Sequence, residues 1–385
     1  MNKISTFFGK LGGKIKRGAV TFHQSIPKWL YIFPGLSALC FVLHMVCCLS
    51  APFADFFSDT VCALFRFLMA KATGWIPFSL GELIIIMLPI VLIVMVGFSI
   101  WMTKHYSAKL YCRTLAGMLS VLFSLYSLFV LTLAPGYQSS TLDQKMHLDR
   151  QAVTADELLE TAVILRDKAN AELEAVLFRH GTFSVMPYSL DEMNEKLNDA
   201  YEKTAKKYDF LQNFRSNIKF VMLSEPMSYT HITGVYSFYT GEANLNINFP
   251  DYSLPYTAAH ELAHQRGIAR EDEANFVAFL ACKESDDPYI RYSGYVNLLE
   301  YVMNALYRAD AGKHSALYHS LDYRVKYEFA AQSNFFEQYR DSVAADISSS
   351  VNNAYLQSQG QTAGTGSYGL VVDLAVAYYK ANPVK

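Results

Sequence analysis

The run Ala258-Ala259-His260-Glu261-Leu262-Ala263-His264-Gln265-Arg266-Gly267 sets two imidazoles four residues apart. On a helix that spacing puts both rings on one face, where they can share one metal ion, and zinc is the ion suited to such a pair. Glu261, one residue past the first histidine, can then act as general base toward a water beside the metal. A catalytic zinc also needs a third protein ligand and an open fourth position.

Gly267 supplies the means to find that ligand, because glycine tolerates positive φ just past a helix and lets the chain turn back. A second helix then opens with Glu271, Asp272 and Glu273 in its first turn, where acids are favoured in any helix. Facing separates them. Glu271 shares a stripe with Ala274, Asn275, Ala278 and Ala281, small residues that allow close approach to the histidine helix. Glu273 shares its side with Phe276, Val277 and Leu280, which look like bulky core. Glu271 is therefore the expected third ligand, Glu273 the alternative, and Asn275 a residue that would orient a ligand by hydrogen bonding.

These motifs carry a resemblance. Glu-x-x-Ala-Asn at residues 271–275 is similar to the Glu-x-x-Ala-Asp/Asn signature of gluzincin-like membrane metallopeptidases and of the repressor-cleaving peptidases of mobile elements. There the first Glu of the signature is the third zinc ligand, which maps onto Glu271. Only six residues separate His264 from Glu271, fewer than in most gluzincins. A metzincin would need histidine at residue 270, which is Arg270. The whole chain resembles an uncharacterised family of bacterial integral membrane proteins, through "PFSLGE", "TAAHELAHQRGIAREDEANFVAFLAC", "RYSGY" and a late "SYG". The resemblance implies a zincin-like fold and a zinc peptidase of the bacterial envelope, and leaves the substrate open.

A zinc peptidase also needs a donor for the oxyanion of its tetrahedral intermediate. Arg291, Tyr292 and Tyr295 in "RYSGY", Tyr368 in "GSYG" and His231 are candidates for that role or for substrate contact. Asn244, Asn246 and Asn248 alternate along one strand face just before the histidine helix, and that strand could be an edge that receives an extended peptide. A solvated strand face explains the same pattern.

The rest of the chain must hold this site. Of its 385 residues 52% are hydrophobic and only 18% charged, a deficit that points toward lipid. Apolar residues concentrate in the first third, in stretches at about 29–49, 83–101 and 110–133 that can each cross a bilayer. His44 sits in the first, where an ionisable group is a functional candidate. The flank before the first span carries Lys3, Lys10, Lys14, Lys16, Arg17 and Lys28 without an acid, a charge of +6, and residues 102–113 add +3. Residues between the first two spans sum to −1. The basic flanks are expected to be cytoplasmic and everything past about residue 134 outside. A shorter amphipathic segment, 53–75, reads as interfacial or re-entrant rather than as a fourth span.

The first 133 residues sum to +8, so a whole-chain charge of −2 leaves about −10 on the remainder, no footprint for nucleic acid. Of six cysteines only Cys282 lies beyond the spans, which excludes a disulfide or a cysteine metal cluster within the outer domain. Residues 134–153 read as a linker, and helices are expected from the capping box at Thr154, from Ser189 to Leu211, across 255–283, 288–308 and 324–357, and near 370–379. Strand-like runs lie between Asn217 and Phe249.

The expected architecture is α+β: a cytoplasmic basic N-terminus (1–28), a membrane domain (29–133) with three spans, and a mainly helical zincin-like domain with a small sheet (154–385), placed outside the cytoplasmic membrane. The expected function is hydrolysis of a peptide or protein substrate at a zinc site. The alternative is a zinc-binding membrane sensor or scaffold that does no hydrolysis; a transport role is disfavoured by the scarcity of charge in the spans.

Overall fold

The computed structural model describes residues 22–105, 108–179 and 183–383. Lys3, Lys10, Lys14, Lys16 and Arg17 lie outside the described residues. The chain is mainly helical and divides into two compact units.

The first unit is built from most of α1 (Ile32–Leu49), α4 (Leu80–His105) and α5 (Ala108–Thr132). With their flanks these give three helices long and apolar enough to cross a membrane, at Lys28–Leu49, Leu80–Met102 and Lys109–Thr132. Pro89 lies inside α4, tolerated where neighbours or local adjustment satisfy the freed carbonyl. His44 Nδ1 is 3.4 Å from the Tyr126 hydroxyl across this unit, and Arg113 Nε donates to the Ser25 carbonyl at 3.0 Å.

The second unit takes Val46–Gly81 together with the chain from Thr132 onward. Its first part holds α2 (Ala51–Phe57), one π-helical turn (Ser58–Cys62) and α3 (Ala63–Gly74). After a fully buried 3-10 turn at Ala134–Tyr137 come α6 (Leu142–Lys145), α7 (Ala155–Glu172), α8 (Leu190–Lys207) and α9 (Ser224–Ser228). The remaining helices are α10 (Leu254–Gln265), α11 (Glu271–Lys283), α12 (Pro288–Ala309), α13 (Ala311–Ser320), α14 (Tyr323–Glu337), α15 (Val343–Ser358) and α16 (Val371–Ala381).

Local chemistry sets the ends of these helices. Thr154 and Glu157 form the reciprocal capping box at α7, and Ser189 caps α8 by accepting from the Glu192 amide at 3.2 Å. The stretch 324–357, expected as one segment, is two helices, because the chain breaks at residues 338–342 and Ser342 caps a new start at α15. In the core, Leu158, Ala162, Leu165 and Ala169 of α7 and Ile290, Val296, Leu299 and Leu306 of α12 are buried in one cluster with the inner faces of α10 and α11.

The sheet has three strands, β1 (Lys219–Phe220), β2 (Gly234–Ser237) and β3 (Glu242–Leu245), in the order β1-β3-β2. β1 runs parallel to β3 and β2 antiparallel to it. The asparagine strand is therefore central and cannot be the peptide-receiving edge. Its side chains explain why: Asn244 Nδ2 donates to the Val235 and Glu242 carbonyls and the Ser237 hydroxyl, and Asn246 Nδ2 donates to the Ser228 hydroxyl and the Ile232 carbonyl. They tie the sheet to its neighbours, and Asn248 does the same by donating to Ser228 and the Tyr339 hydroxyl.

Candidate metal centre

α10 carries His260, Glu261 and His264, all buried. It ends at a glycine in the left-handed region, Gly267 at φ 100°, so the Gly267 amide bonds the His264 carbonyl and the Ile268 amide bonds that of Ala263. The reversal aims the Ile268 carbonyl at the His264 ring, whose Nδ1 donates to it at 2.7 Å. α11 then begins at Glu271 and returns alongside α10.

Both imidazoles have their tautomers fixed from behind. A carbonyl can only accept, so His264 carries its proton on Nδ1. Asn275 Nδ2 points at the Tyr368 carbonyl, 3.3 Å away, which leaves Asn275 Oδ1 to accept from His260 Nδ1 at 2.8 Å. Each ring thus presents a bare Nε2 lone pair forward, and the two Nε2 atoms are 3.0 Å apart. Glu271 Oε2 completes a triangle, 3.2 Å from His260 Nε2 and 3.3 Å from His264 Nε2. That oxygen is buried and accepts no hydrogen bond.

Three acceptors cannot share that space without a positive charge among them. Burial lowers the His264 pKa, but Glu271 and the other partners outweigh it and bring the ring to about 9. Burial likewise pushes Glu271 up, while the two imidazoles hold it well below the usual carboxylate range. A divalent ion meets the same demand. Donors 2.0–2.1 Å from one ion at tetrahedral angles stand roughly 3.3 Å apart, close to the triangle found here. His260, His264 and Glu271 therefore fit a tetrahedral metal with one position left over, and two nitrogens with one carboxylate oxygen suit zinc.

Glu261 lies beside this triangle with a buried carboxylate whose Oε2 is unpartnered. Burial raises its pKa to about 7, against the pull of the two histidines, while the Tyr236 amide of β2 bonds it. β2 comes this close because residue 234 is glycine: a Cβ there would lie 2.5 Å from Glu261 Oε1. The edge strand next to the site is thus β2, a feature that no residue pattern within the strand announces.

The other candidates are scattered. Glu273 faces away from the triangle, accepting from the Leu142 amide at 2.8 Å and from Arg270 at 3.0 Å, and so ties α11 to α6. Arg291 forms a two-point ion pair with Glu172. Tyr292 is buried edge-on to Phe178, Tyr295 packs on Phe279, and His231 has its Nε2 3.0 Å from the Tyr339 carbonyl. Tyr368 alone among the proposed donors is at the centre, its ring nearly parallel to that of His260 at 6.3 Å.

Two further groups carried no sequence signal. Tyr137 and Tyr355 stand hydroxyl to hydroxyl at 3.2 Å; burial raises the pKa of both, and the Glu271 charge adds to it. Arg66 of α3 is buried behind Gly267 and donates to the Thr132 and Ser58 carbonyls, each at 2.9 Å. Its place in an amphipathic helix far from the motif hid its link to the site.

No curated protein and no solved structure matches the chain. A family model described as "Protein of unknown function (DUF3810)" matches residues 57–376, from the end of α2 through the candidate metal centre to α16. The chain belongs to the DUF3810 family.

Proposed function

We propose that the second unit is a zinc-dependent hydrolase of peptide bonds, held at a membrane by the three apolar helices. The observation that carries this reading is the triangle of bare donors at 3.0–3.3 Å with an unpartnered, buried carboxylate beside it. His260, His264 and Glu271 would hold the ion, with Asn275 and the Ile268 carbonyl fixing the two rings. When bound, zinc supplies Lewis acidity toward a carbonyl oxygen and toward water.

Glu261 takes the proton of the attacking water and returns it to the leaving amine. A group near pH 7 suits both halves of that exchange, and Glu261 is held there by burial. β2, beside Glu261, offers an edge for an extended chain. Tyr368, whose ring lies nearly parallel to that of His260, is the candidate donor to the developing oxyanion. The basic flanks support a reading in which the site lies outside the cytoplasmic membrane of a bacterium.

The test is hydrolysis of a peptide library by the full-length chain in detergent or bilayer, with and without chelator, alongside Glu261→Gln. Chelator-sensitive cleavage that the variant loses while keeping its metal supports the reading. Cleavage undiminished in the variant refutes Glu261 as base, and metal binding without any cleavage favours a zinc-binding sensor or scaffold.

A further inference from the structure

The segment from α2 to the start of α4 is amphipathic in the wrong sense for a helix in water. Its inward face carries Ala54, Ser58, Cys62, Arg66 and Ala70, all buried. Its outward face carries Phe56, Leu64, Leu68 and Trp75, which are 61%, 55%, 52% and 80% exposed. These bulky groups recur at intervals of four and seven or eight residues, so they line one side of the helix. An exposed apolar stripe of this kind, interrupted here by Thr60, marks a contact surface.

The chain itself indicates what covers it. α1 ends at Leu49 and α2 begins at Ala51; α3 ends at Gly74 and α4 begins at Leu80. At about 3.3–3.6 Å per residue, neither connection lets the segment move far from the end of α1 or from the start of α4. Both helices are long and apolar enough to cross a membrane. Trp75, with Lys71 one turn before it, is the pairing found where a helix lies in the plane between headgroups and acyl chains.

We propose that the outward face of residues 56–75 rests in the lipid bilayer, at the boundary between headgroups and acyl chains. The inference relies on the helices at 28–49 and 80–102 spanning that bilayer. It also gives the substrate a class: because the same segment presses Arg66 against the turn at Gly267, the site is held at the membrane surface, and a polypeptide lying at that surface is what it would meet.

The chain has three tryptophans, Trp29, Trp75 and Trp101, which makes the test direct. The full-length Trp29→Phe/Trp101→Phe variant in bilayers leaves Trp75 as reporter, and Trp29→Phe/Trp75→Phe leaves Trp101 as a control inside a span. Tyrosine in place of phenylalanine provides a second background should either pair fail to fold. The expected result is blue-shifted Trp75 emission, loss of emission with lipids brominated near the headgroup end of the acyl chain, and protection from acrylamide. Free quenching by acrylamide with none by brominated lipid would overturn the proposal, as would protection from both, which would mean a protein cover. If Trp101 also escapes brominated lipid, the spanning of α4 fails with it; if Trp101 is quenched and Trp75 is not, the spans stand and only the lipid face falls.

Discussion

The Arg66 guanidinium is pressed so closely against Gly267 that a Cβ on the glycine would lie 2.5 Å from Arg66 Nη2. An arginine from α3 thereby backs the turn whose next residue, Ile268, accepts the Nδ1 proton of His264. Gly267→Ala should be doubly unfavourable, through the collision and through alanine at φ 100°. A loss of roughly 1–3 kcal/mol is expected for the backbone part alone. Unchanged thermal unfolding and metal content in this variant would show that the turn is not held as described.

Removing the arginine tests the other side of the same contact. Arg66→Met takes one buried donor away from each of the Thr132 and Ser58 carbonyls. The expected cost is about 2–5 kcal/mol, and Arg66→Lys should recover only part of it, since an ammonium lacks the fork that reaches two carbonyls. Full recovery by lysine would argue that charge alone matters there.

The two candidate carboxylates make opposite predictions. Glu271→Gln should weaken zinc binding by more than about 100-fold, whereas Glu273→Gln should keep the metal and lower stability, because Glu273 holds the Leu142 amide and Arg270. Asn275→Ala should fall between, losing roughly 10–100-fold in affinity by freeing the His260 ring. Metal content after dialysis against graded chelator measures all three, and equal retention by Glu271→Gln and the unsubstituted chain would remove Glu271 from the ligand set.

What could be read from the chain alone follows from how locally each feature is encoded. His260 and His264 are joined by one helical turn, and Glu271 shares a face with Ala274, Asn275 and Ala278, so spacing was enough to nominate them. The three apolar helices were legible for the same reason, since length and composition define them. The central position of β3 was not, because strand order depends on β1 pairing in parallel from far back in the chain, and alternation looks the same at a centre as at an edge. Tyr368 could be named only among several tyrosines, and Arg66 not at all, because their approach to the site is tertiary.

Gly234 offers a test of the proposed catalytic arrangement at a residue outside the candidate metal ligands. Gly234→Ala would push a methyl to within 2.5 Å of Glu261 Oε1, displacing the base or the edge strand. Hydrolysis is expected to drop on the order of 100-fold with metal content unchanged, as misplacement of a reacting group by about 1 Å can do. A variant that cleaves normally would show that Glu261 need not sit against β2.

Glu328 of α14, which is not among the candidate metal ligands, is expected to give the second unit a pH-dependent stability. Its side chain is fully buried and accepts from the Ser184 amide at 3.0 Å. Burial raises its pKa to about 7, with Ser184 and Tyr292 lowering it and Asp251 raising it further. The folded pKa exceeds the unfolded value, so the contribution is complete below about pH 4.5 and falls as the unfolded chain sheds its proton first. It is lost by about pH 7, a swing of about 3 kcal/mol. Glu300, raised by burial to about 7, acts with the same sign. Glu328→Gln keeps the acceptor for Ser184 and removes the charge, so it should raise the unfolding midpoint at pH 8 more than at pH 5 and reduce the difference between the two. Midpoints for the variant and the parent that shift equally between these pH values would locate the titration elsewhere.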